Sequence, residues 1–197
     1  MNTKINNVAK EIAERNKLFK QASPADKRVL IAKDVINLIE SKKIIPTSGE
    51  WVSPDYSNYN DHDYDAMQKH SFQKTFLEGS VKKCECCALG SMMVSCTLFK
   101  NKVKMAQLDD GAMDYPTIQN HRSQDFMGFR NIFSHDQCML IEIAFEQGKG
   151  YFFTPETEDP NDINSRAIKF GKKYRSNKSR LLAIMKNVVK NKGTFKP

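Results

Sequence analysis

Apolar residues recur at helical spacing from the start of the chain. Ile5, Val8, Ile12 and Phe19 mark one stripe, which predicts an amphipathic helix over residues 4–21. Ser23-Pro24-Ala25-Asp26 then has the form of a helix start: Ser23 to cap, Pro24 at the first helical position, Asp26 where a capping carboxylate sits. That second helix runs to residue 41, with Val29, Ala32, Val35, Ile36 and Ile39 inward and Leu30, Ile31 and Leu38 widening the face. Ile44-Ile45-Pro46 and Trp51-Val52-Ser53 flank Thr47-Ser48-Gly49-Glu50, a pattern that predicts a short β-hairpin. Asp, Asn and Ser crowd residues 55–65 and mark a loop. A helix follows over residues 67–78, with Phe72 and Phe76 inward and Gly79 ending it.

Residues 84–99, CECCALGSMMVSCTLF, contain no Lys or Arg, and Glu85 is their only charge. A helix starting near Cys86 puts Leu89, Met92, Cys96 and Phe99 on one side. Cys87, Val94 and Leu98 fall on the other, with Met93 between. A helix apolar all round belongs in the middle of a fold. It is expected to be the central helix, and its small residues Ala88, Gly90, Ser91 and Ser95 let neighbouring backbones approach closely.

Residues 101–120 are polar and broken by Asp110-Gly111 and Tyr115-Pro116, so mostly loop is expected, followed by a short helix over 124–133. Ser134 with Gln137 fits a capping box. The helix it opens runs to residue 147, burying Met139, Leu140, Ile143, Ala144 and Phe145 and leaving Glu142 and Glu146 on an exposed strip. Residues 151–153 suggest a strand or an apolar anchor, and 154–162 an acidic loop. Asp159-Pro160-Asn161-Asp162 opens a further helix by the same capping logic as Ser23 to Asp26, with Ile163, Ala167, Phe170 and Tyr174 on one stripe. The last helix, residues 177–191, packs with Leu181, Ile184, Met185, Val188 and Val189 and ends before Gly193. The expectation is one all-α domain, residues 1–197, of about seven helices around a central one, with a minor hairpin and a basic helical pair over 160–197.

Charge sharpens this picture. The chain carries +8, yet residues 163–197 hold eleven basic residues and no acidic one, which leaves the remainder at −3. Lys169, Lys172 and Lys173 lie off the apolar stripe of their helix, with Arg175 beyond its end. Arg180, Lys186 and Lys190 are expected to point away from the packed face of the next helix. These seven form the candidate binding surface, since phosphate backbones and acidic protein surfaces both reward unneutralised cations. Tyr174 and Phe195 could add stacking. The bland alternative is a solvated face that offsets the acidic remainder of the chain.

Four of the five cysteines lie within residues 84–96. Cys84 and Cys87 have C-x-x-C spacing, half of a zinc site, but no second pair completes it. A redox dithiol at a helix start is the other chemical option, although no strand is expected before it. Small buried core residues are the simplest account. A nucleobase deaminase needs H-x-E and P-C-x-x-C, and neither occurs. Asp61, Asp63 and Asp65 alternate as in a calcium loop, but Ala66 and Phe72 stand where Gly and Glu are required. No Walker loop, G-x-G-x-x-G, G-x-S-x-G or H-E-x-x-H occurs, so neither a catalytic residue nor a cofactor is assigned. No apolar run is long enough to span a bilayer, and residues 1–17 lack the apolar core of a secretory signal, so a cytoplasmic site without membrane contact is expected.

RVLIAKDVI (28–36), CECCALGS (84–91), MLIEIAFE (139–146) and LLAIMKNVVKNKGTFKP (181–197) together resemble a family of small bacteriophage and prophage proteins. The resemblance carries no catalytic signature. It implies an accessory protein acting in the bacterial cytoplasm, of the kind that binds a host protein, a nucleic acid or a signalling nucleotide, often to blunt host defence.

Overall fold

The computed structural model describes residues 2–55, 71–100, 131–148 and 162–197. Among these the chain is mostly helical, with a small three-stranded sheet. The order is α1 (Asn2–Gln21), α2 (Pro24–Glu40), β1 (Ile44–Pro46), β2 (Val52–Pro54), α3 (Phe72–Glu78), β3 (Cys84–Cys86), α4 (Ala88–Lys100), α5 (His135–Glu146), α6 (Ile163–Lys172) and α7 (Asn177–Lys190). The loops expected over 101–120 and 154–161, most of the 55–65 loop, residues 67–70 of the 67–78 helix, the 124–133 helix up to 130 and the 151–153 strand lie outside the described residues.

Local signals place several helix boundaries. Ser23 caps α2 by accepting from the Asp26 amide, with Pro24 in the first turn. Gly79 ends α3 in the left-handed region at φ 85°, which costs a glycine no Cβ clash. Ser134 caps α5 by accepting from the Gln137 amide at 3.3 Å. The expected capping box is only half closed, because the Gln137 side chain turns to the chain end instead. Its Oε1 accepts from Phe195 N at 2.6 Å, and its Nε2 donates to Phe195 O at 3.4 Å.

α4 is the centre. Every residue from Ala88 to Phe99 is buried. The helix touches α1, α2, α3, α5 and all three strands. Its N-terminal end lies so close to the sheet that a Cβ on Gly90 would sit 1.7 Å from the Trp51 carbonyl oxygen. Around it, α7 packs on α2, α5 and β1, and α6 packs on α5. The α5–α6 crossing needs a glycine too: a Cβ at Gly171 would lie 1.9 Å from the Ala144 carbonyl oxygen.

The expected hairpin does not form. β1 and β2 pair not with each other but with β3, which lies between them. β1 runs parallel to β3 (Ile44 opposite Cys84, Pro46 opposite Cys86), and β2 antiparallel (Val52 opposite Cys86, Pro54 opposite Cys84). Proline lacks the ladder donor and is confined to edges. β1 and β2 each carry one, so the proline-free CEC segment takes the middle. The same pairing corrects the start expected for the central helix: Cys84–Cys86 is strand, and the helix begins at Ala88.

A buried polar seam crosses the first helices. Arg15 Nη1 donates to Asp34 Oδ1 at 2.9 Å, and Ser95 Oγ donates to Asp34 Oδ2 at 2.8 Å. Burial holds the Asp34 carboxyl above its ordinary value, outweighing Arg15 and Ser95. Phe19 stacks on Phe99 at 5.0 Å beside this seam, with the Arg15 guanidinium 5.4 Å from the Phe99 ring.

Met92 is fully buried and Lys190 is exposed. Met92→Ala is expected to cost about 2–5 kcal/mol by chemical denaturation, the range for emptying a buried site. Lys190→Ala is expected to stay within about 0.5 kcal/mol of the unsubstituted chain.

Candidate functional site

The basic segment is built on two capped helices. The Asp162 carboxylate accepts from the amides of Asn164 at 3.1 Å and Ser165 at 3.3 Å, opening α6. Ser176 and Ser179 cap α7 reciprocally, each side chain accepting from the other's backbone amide. Leu181, Ile184, Met185 and Val188 are buried along the inner face of α7. Beyond α7 the chain folds back: Arg28 Nε donates to Gly193 O at 2.7 Å, and the Asn187 side chain bonds Lys196 N and O at 2.9 and 2.8 Å.

With the apolar stripes turned inward, the cations face out. Lys169, Lys172, Lys173, Arg175, Lys186 and Lys190 are all exposed, as are Arg166, Lys178, Lys192 and Lys196. None of these ten forms an ion pair with a carboxylate among the described residues. At about 100° per residue, Arg166, Lys169, Lys172 and Lys173 fall within an arc of about 120° on α6, and Lys178, Lys186 and Lys190 within a similar arc on α7. Lys172, Lys173 and Arg175 gather at the turn between the helices. Lys186 lies about 14 Å along α7 from its first residue.

Arg180 corrects the expected set, for it is buried, with 5% of its surface exposed. Its Nη1 donates to Phe145 O at 2.8 Å and Asn177 Oδ1 at 3.0 Å, Nη2 to Tyr174 O at 3.2 Å, and Nε to Gly171 O at 3.3 Å. The guanidinium thus satisfies carbonyls at the ends of α5 and α6, where the helix dipole also favours a cation. Burial lowers its pKa, and the charge of Glu146 opposes that shift. The aromatic expectation changes as well. Phe195 is buried and meets Phe170 edge-on at 5.2 Å, and Tyr174 is half-buried against the same ring.

The cysteine cluster is fully enclosed. All five cysteines are buried, and none is in a disulfide. The strand that was not expected before Cys87 is present, so the redox option turns on burial rather than on topology. Cys84 and Cys86 are hydrogen-bond neighbours on β3, while Cys87 stands apart at the start of α4 and its sulfur accepts from Gly90 N at 3.3 Å. Burial pushes the thiols of Cys86 and Cys87 well up, against thiolate formation. Among the described residues no group of three or more His, Cys, Asp or Glu could hold a metal ion.

Comparison with family models, with curated proteins and with solved structures returns no match.

Glu142 and Glu146 overturn a further expectation, since neither lies on an exposed strip. Glu146 accepts from Ser48 Oγ and from Gly49 N at 3.1 Å, tying α5 to the β1–β2 connection. Glu142 accepts from the Leu89 amide. Its Oε2 is shut from solvent with no hydrogen-bond partner among the described residues. Burial, and then the charge of Glu146, push its pKa up to about 8. A signal was present: apolar Cys138–Ile141 and Ile143–Phe145 enclose Glu142 and leave no wide polar face.

Arg180→Ala strands several buried carbonyls and is expected to cost about 3 kcal/mol or more in urea denaturation. Arg180→Lys should recover only part, since a lysine lacks the fork. Folded Glu142 keeps its proton to about 8, against an ordinary 4.5. The folded state therefore binds more protons between those values, and its stability falls as pH rises through them. Urea midpoints of Glu142→Gln across this window are expected to show a flatter pH dependence and to exceed the unsubstituted chain at pH 8.

Proposed function

We propose that the chain is a non-enzymatic phage accessory protein that binds and disarms an acidic host factor through the exposed cations of α6 and α7. One observation carries this reading: ten of the eleven basic residues after Asp162 are exposed, with no carboxylate paired to them among the described residues. A solvated face that merely offsets acidic surface would show ion pairs or interspersed carboxylates. Among the described residues this segment has neither, which supports a partner that meets its charge. The phage character rests on the four segments quoted from the sequence. The enclosed thiols support a binding role over thiol chemistry, because a reactive cysteine needs exposure and a lowered pKa.

The test is a pull-down from bacterial lysate with the whole chain and with a Lys172→Ala/Lys173→Ala/Lys186→Ala/Lys190→Ala variant. All four side chains are exposed, so the variant is expected to keep its helical circular dichroism and lose the captured component. Equal capture by both proteins, or none by either, would overturn the proposal.

A further inference from the structure

We infer that the acidic surface met by α6 and α7 is the phosphate backbone of duplex nucleic acid, bound through charge without reading sequence. This rests on the proposed binding role and narrows its partner. Two observations select the duplex. The first concerns apolar anchors. Protein interfaces draw most of their energy from a few desolvated aromatic or aliphatic side chains. From Ile163 to Pro197 the only large apolar side chain left exposed is Ile163, at 44%, at the far end of α6 from the cation-rich turn. A surface of ten cations and one peripheral isoleucine is poorly equipped for an acidic protein, whereas counterion release from a polyphosphate needs only the cations.

The second concerns stacking. Single strands are held by aromatic rings on which unstacked bases lie. Phe195 is buried, and Phe170 and Tyr174 are half-buried against each other, with Phe170 also edge-on to Phe195 and Lys173 over the Phe170 ring at 5.8 Å. These three rings serve packing, and none of the three stands free to take a base. A duplex keeps its bases stacked and offers phosphates at twice the linear density of one strand. No base-edge contact is required, so unrelated duplexes of equal length bind alike.

The experiment titrates the whole chain against two unrelated 20-base-pair DNA duplexes, one 20-nucleotide single strand and polyglutamate. The expected result is tighter binding to both duplexes than to the single strand, with the two duplexes within about threefold. Affinity should fall more than about 100-fold between 50 and 200 mM salt, as release from four or more phosphates requires. The variant lacking Lys172, Lys173, Lys186 and Lys190 should lower the salt slope by about one per residue removed. A control variant, Lys17→Ala/Lys20→Ala/Lys33→Ala, removes exposed lysines from α1 and α2. It should bind nearly as the unsubstituted chain does. Equal or tighter single-strand binding, a shallow salt slope, a strong preference between the duplexes, or equal loss in both variants would overturn the duplex assignment. Binding to polyglutamate but not to duplex would also overturn it while leaving the acidic-partner proposal standing. Failure of the lysate capture itself would overturn both.

Discussion

The constraint on which the structure depends is that α4 has no face fit for water. Twelve consecutive residues, Ala88 to Phe99, are buried. One neighbour covers one side of a helix, so total enclosure needs helices on several sides and a floor at the end. α1, α2, α3 and α5 supply the sides, and the three strands close the N-terminal end. Gly90 permits that closure, because the Trp51 carbonyl occupies the space a side chain would need. The polar groups drawn in with α4 are matched: Ser95 meets Asp34, and Ser91 and Thr97 donate back to the carbonyls four residues earlier.

Much of this was legible because it is local. The 3.6-residue stripe and the capping residues Ser23 and Ser134 act within a turn or two of chain. Total burial of α4 followed from composition alone. What escaped was set by distant partners. Ile44 and Cys84 pair across forty residues of sequence, and no pattern within either strand names the other. Nearness in sequence favoured β1 with β2; the prolines at 46 and 54 were the available hint that both are edges.

Charged residues misled in the same way. Arg180 reads as one more cation in a basic run, but its spacing of four from Ile184 and eight from Val188 aligns it with the buried stripe. Asp34 lies three and four residues from Ile31 and Leu38, again on an apolar face. Side-chain type is a poor guide to exposure where free helix ends or a guanidinium require a partner inside. The six remaining candidates, Lys169, Lys172, Lys173, Arg175, Lys186 and Lys190, stand where the stripe places them. Support and surface therefore interlock: the buried arginine holds the helix ends from which the exposed cations project.

The sheet has a kinetic consequence. Its middle strand comes last in sequence, so β1 and β2 are complete before the segment that joins them exists. A nascent chain emerging from the N-terminus reaches residue 54 with two short strands and no ladder between them, and Ile44 and Val52 remain uncovered until Cys84–Cys86 slots in. Parallel pairing over this separation must first close a long loop, which slows assembly. The helices can form early from local signals. The sheet itself closes only with CEC in place, and the N-terminal end of α4, starting two residues later, depends on that strand having both of its neighbours.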